Sequence, residues 1–212
     1  MESRLSDMTV RELLERLATD DPIPGGGSAS ALAGAAGASL VQMVVALTTG
    51  RPTAAAHEDE LKEIGLRGAT LTSELLRLSE LDAVAYAAVV VARRLPKNTE
   101  VERLSRTRQI EAATREATSV PLDIARRADE VLGLAERLAL MGNRNAVSDV
   151  GVASLLGVAG LRGAALNVRI NLPFLPENEP LRTEAGRELD RLLAGLEDRE
   201  RRVRDAVAER LG

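Results

Sequence analysis

The feature that most limits the fold is a long run of small, uncharged residues. Residues 29–49 contain no charged side chain, and the first half of this run is almost entirely Ala, Gly and Ser. Alanine favours a helix, and glycine on a helix surface lets a neighbouring backbone approach closely. We therefore expect a buried central helix over Ala29–Thr49, with Gly34 and Gly37 as points of close helix–helix contact.

A membrane span is the competing interpretation of this run, because about 20 apolar residues suffice to cross a bilayer. The run lacks flanking aromatic anchors, and its Ala, Gly and Ser residues are only weakly hydrophobic. No second segment of the chain has as clean a pattern. We therefore favour a buried helix and expect no membrane contact.

Helical periodicity dominates the rest of the chain, without a convincing alternating strand pattern. It predicts an all-α, single-domain bundle of about seven or eight helices over residues 1–212. A second small-residue helix, about Val150–Ile170, is expected to cross the first near the centre. The remaining helices are predicted over 5–19, over 53–95 with a break near Ser79, over 99–140 with a kink or division at Pro121, and over 181–211. Residues 175–212 thus form a loop and a charged C-terminal helix.

Composition excludes several classes of protein. Only 1% of the residues are aromatic and the net charge is −4, so neither base stacking nor charge favours a nucleic-acid partner. The chain has no cysteine, which excludes disulfides and thiolate nucleophiles. His57 is the single histidine, and no spacing of His, Asp and Glu is typical of a metal site. The N-terminal residues lack a basic stretch followed by an apolar run, so we expect a cytoplasmic protein.

A glycine-rich turn precedes the central helix and is the first candidate site. Gly25, Gly26 and Gly27 come directly before Ser28, the predicted N-cap. Three glycines before a helix leave backbone N–H groups exposed, which suits an anion or a carboxylate. The segment is neither a P-loop nor a dinucleotide fingerprint. A turn that lets two helices pack is the simpler explanation when the segment is taken alone.

Asp82 and Tyr86 form the second candidate. They are four residues apart, so they share a helix face, and their neighbours are Ala and Val. A carboxyl group buried among such residues has a raised pKa, which suits proton transfer near neutral pH. A surface aspartate near a helix start is an equally good explanation from these residues alone.

The third candidate is the polar segment before the second small-residue helix. Its side chains are predicted either to cap that helix or to form a polar wall against a heterocycle. Asn167 and Asn171, four residues apart near the other end of the helix, extend such a wall or act as caps themselves. The members of the segment are Asn143, Asn145, Ser148 and Asp149.

Taken in order, these segments resemble the cyclodeaminase domain of formiminotransferase-cyclodeaminase and the stand-alone bacterial methenyltetrahydrofolate cyclohydrolases. Each segment is a weak signal, but the ordered set is specific and covers about residues 5–175. Arg51 stands where the family commonly has Lys, and residues 52–57 do not follow the family's pattern. The matching stretches are Pro22–Ser28, Leu47–Arg51, Asp82–Tyr86, Leu95–Lys97, Pro121–Leu122, Gly142–Gly151 and Asn167–Asn171.

The resemblance implies an all-helical homodimer that binds a tetrahydrofolate derivative in a groove near the subunit contact, without a metal ion or a further cofactor. Its leading activity is formiminotetrahydrofolate cyclodeaminase, which releases ammonia and forms 5,10-methenyltetrahydrofolate. Methenyltetrahydrofolate cyclohydrolase on the same site is the alternative. A non-catalytic, folate-binding helical scaffold is the alternative of another class.

The resemblance also implies roles for the candidate residues. Asp82 is the leading acid/base and Asp149 the second. The predicted substrate contacts are the amides of Gly25, Gly26, Gly27 and Ser28, together with Tyr86, Lys97, Asn143, Asn145, Ser148, Asn167 and Asn171. An enzyme of this kind requires Asp82, the segment 143–149 and the glycines to converge on one cavity.

Overall fold

The computed structural model describes residues 4–211 and contains no β-strand within them. The all-α prediction is confirmed. Short 3₁₀ turns connect several of the helices. The α-helices are α1 (Val10–Leu17), α2 (Gly26–Thr48), α3 (Glu58–Arg94), α4 (Glu100–Met141), α5 (Val147–Asn171), α6 (Pro180–Leu193) and α7 (Leu196–Leu211).

The two small-residue helices, α2 and α5, pack side by side in opposite directions at the centre of the fold. Just before α5, the Asn143 N–H donates to Thr48 Oγ1 at the end of α2 over 2.8 Å. The glycines explain the close approach: a Cβ on Gly160 would lie 2.9 Å from the Ser30 carbonyl oxygen, and one on Gly37 would lie 3.0 Å from that of Ala153. Gly37 therefore makes the predicted helix–helix contact with α5.

Helices α3 and α4 each run without the division that the sequence pattern predicts. The predicted break near Ser79 is absent because that residue is buried, with its hydroxyl donating to the Leu76 carbonyl inside α3. Nor does Pro121 divide α4. A proline has no N–H for the carbonyl four residues earlier, here that of Ala117. Asn171 Nδ2 donates to this carbonyl over 2.6 Å, so a side chain of α5 supplies the missing hydrogen bond.

The C-terminal segment forms two helices rather than the single one predicted over 181–211. Gly195, with φ of +69°, separates α6 from α7, because the left-handed conformation ends a helix. The apolar stripe of Leu189, Leu192 and Leu196 is buried on the body of the protein. Arg199 holds α7 on α4 through its ion pairs with Asp129 and Glu136.

An apolar outer face runs along α2 and α5, bordered on α5 by the exposed Arg162 and Arg169. Both α2 and the region Arg144–Phe174 are long and apolar enough to span a membrane by length and composition, and 50% and 44% of these stretches is buried inside the protein. The outward side chains include Val152, Leu155, Leu166 and Ile170 on α5 and Met43 and Leu47 on α2, all at least 40% exposed. We call these side chains the α2–α5 face.

The close packing of α2 on α5 predicts opposite effects for two glycine substitutions. Gly160→Ala should lower the free energy of unfolding by about 1–3 kcal/mol, because the new methyl group meets backbone atoms that cannot move aside. Gly186→Ala in α6 has no atom within 4 Å of its new methyl group and should gain about 0.5–1 kcal/mol from helix propensity. Urea unfolding measures both, and equal effects would contradict the packing argument.

Candidate active site

A cavity of about 230 Å³ lies at the end of the bundle where α2 begins and α5 ends. It contains a carboxylate, a phenol and two amides. A larger groove of about 620 Å³ lies between α3 and α4, but its lining is mostly Ala, Val and Leu and offers little for catalysis. The smaller cavity is lined by Pro22, Ile23, Gly25, Gly26, Asp82, Ala83, Tyr86, Ala117, Asn167, Ile170 and Asn171.

Asp82 caps α2 from a different helix. The N-cap residue of α2 is Gly25, which has no side chain to accept a hydrogen bond. The Asp82 carboxylate on α3 accepts instead, from the Ser28 N–H and from Ser28 Oγ at 3.1 Å. Ser28 is therefore not the N-cap that its sequence position suggested, since α2 begins at Gly26 and places Ser28 in the first turn.

The same carboxylate explains the central glycine of the motif. A Cβ on Gly27 would lie 2.1 Å from Asp82 Oδ1, well inside contact distance. Gly27 and Ser28 are buried, whereas Gly25 and Gly26 line the cavity. The start of α2 thus accommodates a carboxylate of the protein itself, which lies against Gly27 and accepts from Ser28.

The environment of Asp82 favours its protonated form. Burial raises the pKa of this carboxyl group, and the two hydrogen bonds from Ser28 lower it by less, so the pKa lies above its ordinary value. The residue is half-buried and borders the cavity. An aspartate in this position can hold a proton and pass it to a ligand in the cavity.

Asn167 and Asn171 present fixed amides to the cavity. Asn167 Nδ2 donates to the Gly163 carbonyl over 2.9 Å, and Asn171 Nδ2 donates to that of Ala117. Each amide keeps its oxygen as the group that can accept a hydrogen bond from a ligand. Tyr86 lies one turn beyond Asp82 and is 43% exposed. The candidate Asp82 pair and the Asn167 pair therefore share one cavity.

The other predicted site residues lie elsewhere in the chain. Asn143 Nδ2 donates to the Leu47 carbonyl at the far end of α2, about 30 Å from Asp82 by helix rise. The prediction that the segment 143–149 meets Asp82 in one cavity is therefore wrong within a single chain. Helices α2 and α5 are antiparallel, so the segment lies at the opposite end of the bundle. Lys97 is exposed in the loop after α3 and also lies away from the cavity. The separated segment comprises Asn143, Asn145, Ser148 and Asp149.

Five lining residues were not among the predicted site residues: Pro22, Ile23, Ala83, Ala117 and Ile170. Ala117 and Ile170 have no side-chain chemistry of their own, so residue type gave no reason to select them. Pro121 was the available signal for Ala117, since a helical proline exposes the carbonyl four residues before it. Among residues 4–211, no group of three His, Cys, Asp or Glu side chains is placed to hold a metal ion.

The raised pKa of Asp82 predicts a pH-dependent stability. The folded protein binds this proton more tightly than the unfolded chain, so its contribution is present below about pH 3.8 and is lost as pH rises through the raised pKa. The stability of the unmodified protein should therefore fall relative to that of Asp82→Asn over this interval. Urea unfolding of both proteins over a pH series measures the difference, and a difference that does not change with pH would refute the assignment.

The contact between Gly27 and Asp82 predicts that Gly27→Ala displaces the carboxylate. We expect a loss of about 1–3 kcal/mol in the free energy of unfolding, since the methyl group and the carboxylate cannot share one position. Gly26→Ala is the matched control, because its methyl group would meet only the Asn167 amide at 3.5 Å. Thermal and urea unfolding of both variants test this, and equal stability would contradict the geometry.

Three comparisons show which known proteins this chain resembles. A family model described as formiminotransferase-cyclodeaminase matches residues 9–190. A methenyltetrahydrofolate cyclohydrolase of Methylorubrum extorquens is 40% identical over 203 residues, which is 96% of this chain and 97% of that protein. The formimidoyltransferase-cyclodeaminase of Rattus norvegicus is 34% identical over 84% of this chain, and the match spans 33% of the rat protein.

A solved structure agrees with the sequence relatives. The crystal structure of formiminotetrahydrofolate cyclodeaminase from Thermotoga maritima matches with a TM-score of 0.86 and 27% identity, covering 97% of this chain and 98% of that one. The family model alone covers most of the chain, and the ordered motifs lie within the matched residues. The resemblance drawn from those motifs is confirmed, and the chain belongs to the formiminotransferase-cyclodeaminase family.

Proposed function

We propose that this protein is a folate-dependent one-carbon enzyme that hydrolyses 5,10-methenyltetrahydrofolate to 10-formyltetrahydrofolate. The observation that carries the proposal is the half-buried Asp82 carboxyl group, with its raised pKa, beside a cavity lined by two fixed amides. The cyclohydrolase relative supports this activity because it matches almost the full length of both chains. We place the enzyme in the cytoplasm, with the folate as its organic ligand and no metal ion.

The chemistry requires one group that accepts and then returns a proton. Water adds to the methenyl carbon between N5 and N10 of the cationic substrate, and the Asp82 carboxylate takes a proton from that water. The carbinol then collapses: its C–N5 bond breaks, Asp82 returns the proton to N5, and the hydroxyl proton passes to solvent as the formyl group forms. The net reaction consumes one water and releases one proton. A carboxyl group with a raised pKa suits both transfers.

Cyclodeamination is the second candidate, which the motifs suggested first and the Thermotoga maritima structure favours. Here N10 attacks the formimino carbon, Asp82 passes the N10 proton to the departing nitrogen, and solvent supplies the further proton with which ammonia leaves. Both reacting nitrogens belong to one molecule, so holding them together supplies much of the rate. In either reaction the cavity holds the reacting atoms together beside Asp82, which moves the proton.

We also propose that the α2–α5 face is the contact surface of a homodimer. Its α5 residues are self-complementary about Ala159, because a two-fold axis there pairs Val152 of one copy with Leu166 of the other. The same axis places Ser148 of a second copy beside Ile170, which lines the cavity. In such a dimer, the segment 143–149 of one subunit approaches the cavity that contains Asp82 of the other. Exposed apolar side chains that form one face favour burial against a partner, and a second copy fits this face.

A complementation experiment tests the shared site. Asp82→Asn and Asp149→Asn are each expected to be poorly active as homodimers, because each lacks one of the two carboxylates. Mixing the two variants under subunit exchange should restore one complete site in each heterodimer, since one of its two cavities then has both carboxylates. No recovery from a mixture shown to contain heterodimers would refute the shared site.

The role of Asp82 predicts a loss of turnover without a loss of fold. Asp82→Asn keeps an oxygen that accepts from Ser28 and caps α2, but it cannot carry a proton, so turnover should fall about 10²-fold or more. Glu80→Gln is the matched control, because Glu80 lies two residues away on α3 and accepts from the Ser6 N–H outside the cavity. Turnover near that of the unmodified protein in Asp82→Asn would remove Asp82 from the proton transfer.

One ultraviolet assay with two substrates separates the candidate activities. Loss of the methenyl absorbance faster than the uncatalysed rate identifies the cyclohydrolase. Appearance of that absorbance from 5-formiminotetrahydrofolate identifies the cyclodeaminase. A protein that is inactive on both but still binds folate would be the non-catalytic scaffold, and the proposed function would fall.

A further inference from the structure

The Ser28 hydroxyl has one proton to donate and lies within hydrogen-bond distance of two acceptors. Its oxygen lies 2.9 Å from the Ser79 carbonyl oxygen and 3.1 Å from Asp82 Oδ2. The Ser28 side chain is fully buried, so water does not compete for these bonds. The sequence predicts that Ser28 contacts substrate, but its hydroxyl is enclosed between α2 and α3 and contacts Asp82.

We infer that Ser28 is a positioning residue for Asp82, whose hydroxyl reverses its hydrogen bonds each time Asp82 gains or loses its proton. The inference rests on the proposed function, since it concerns the carboxyl group that we propose to move the proton. It assigns Ser28 a task in the proton transfer itself rather than in substrate binding.

Both protonation states are satisfied by the same heavy-atom positions. When Asp82 is ionised, the Ser28 hydroxyl donates to Oδ2, because a charged acceptor forms the stronger bond. When Oδ2 is protonated, Asp82 donates to Ser28 Oγ, and the Ser28 hydroxyl turns to the Ser79 carbonyl. A serine hydroxyl has one donor and two acceptor lone pairs, so it can fill either pattern by rotation alone.

The surroundings contain little else that can compensate for the charge on Asp82. Helix α2 has no charged residue, α4 contributes Ala117, and α5 contributes amides and Ile170. Tyr86 is the one other titratable side chain in the described cavity lining. Arg4, Arg16, Asp21 and Glu80 border the neighbouring cleft on the other side of Ala83. Within this lining, the hydrogen bonds to ionised Asp82 come from Ser28.

This arrangement removes a cost from each turn of the catalytic cycle. A carboxyl group that changes protonation in a half-buried site normally leaves a partner unsatisfied in one of its two states. Here a single hydroxyl rotation keeps Asp82 bonded throughout, so the carboxyl group does not need to swing away from the cavity. Ser28 thereby keeps the proton donor in one position for both transfers.

Ser28→Ala tests the inference, with Ser30→Ala as the matched control. Ser30 is also a buried serine near the start of α2, but its hydroxyl donates to the Gly26 carbonyl in its own helix. Infrared titration follows the protonated carboxyl band of Asp82, identified by its loss in Asp82→Asn, and needs no turnover. The pH dependence of kcat/KM on methenyl-folate and on formimino-folate is measured on the same proteins.

In Ser28→Ala, the Asp82 titration should move upward by about one pH unit, because the charge-assisted bond to the ionised form is lost. The limb of the rate profile that reports Asp82 should move with it, while kcat falls about tenfold and KM stays near its original value. Ser28→Cys, with a weaker donor, should shift less, and Ser30→Ala should shift neither measurement.

Three outcomes decide between the claims. An Asp82 titration that stays in place in Ser28→Ala overturns the inference, even if the enzyme is active. An equal shift in Ser30→Ala also overturns it, because the effect would then come from general loosening of α2. A shifted Asp82 band in a protein inactive on both folates supports the positioning contact and refutes the proposed function instead.

Discussion

The contact between the Asp82 carboxylate and the start of α2 is the interaction on which the rest of the site depends. Helix α2 begins at glycines that offer no capping side chain, and an aspartate from α3 caps it instead. Because a residue of one helix accepts from the backbone of another, separating the two helices would leave both groups without their partner. The contact thus ties α3 to the start of α2 and holds the carboxyl group at the cavity.

A second hydrogen bond between helices, on the opposite wall of the cavity, also joins a side chain of one helix to the backbone of another. Pro121 leaves the Ala117 carbonyl of α4 without its helical donor, and the Asn171 amide of α5 fills that gap. The proline therefore leaves a carbonyl that needs a donor, and the side chain that donates to it borders the cavity. At both Asp82 and Asn171, the hydrogen bond that joins two helices also orients the side chain that borders the cavity.

The helices and their small-residue packing followed from the sequence because both depend on local pattern. The run of Ala and Gly in α2 predicts a close neighbour wherever that neighbour comes from. The helix ends and the cavity depended on long-range contacts that the pattern does not contain. Burial of Ser79 keeps α3 continuous, and the antiparallel direction of α2 and α5 separates Asn143 from Asp82. The motifs selected polar residues in separate segments of the chain, but only the fold decides which of them meet in one chain.

The dual role of Asp82 bears on how its substitutions are interpreted. If its carboxylate served only as a cap, its position would favour the ionised form, since a helix N-terminus stabilises negative charge. Burial instead raises its pKa despite that stabilisation, so the fold disfavours the charged form of the group that caps α2. A cap alone gains nothing from this conflict, because an asparagine or a serine would cap α2 without it. A raised pKa suits the proton transfer that we propose for Asp82, and in that proposal the rotation of the Ser28 hydroxyl keeps the carboxyl group hydrogen-bonded in both states.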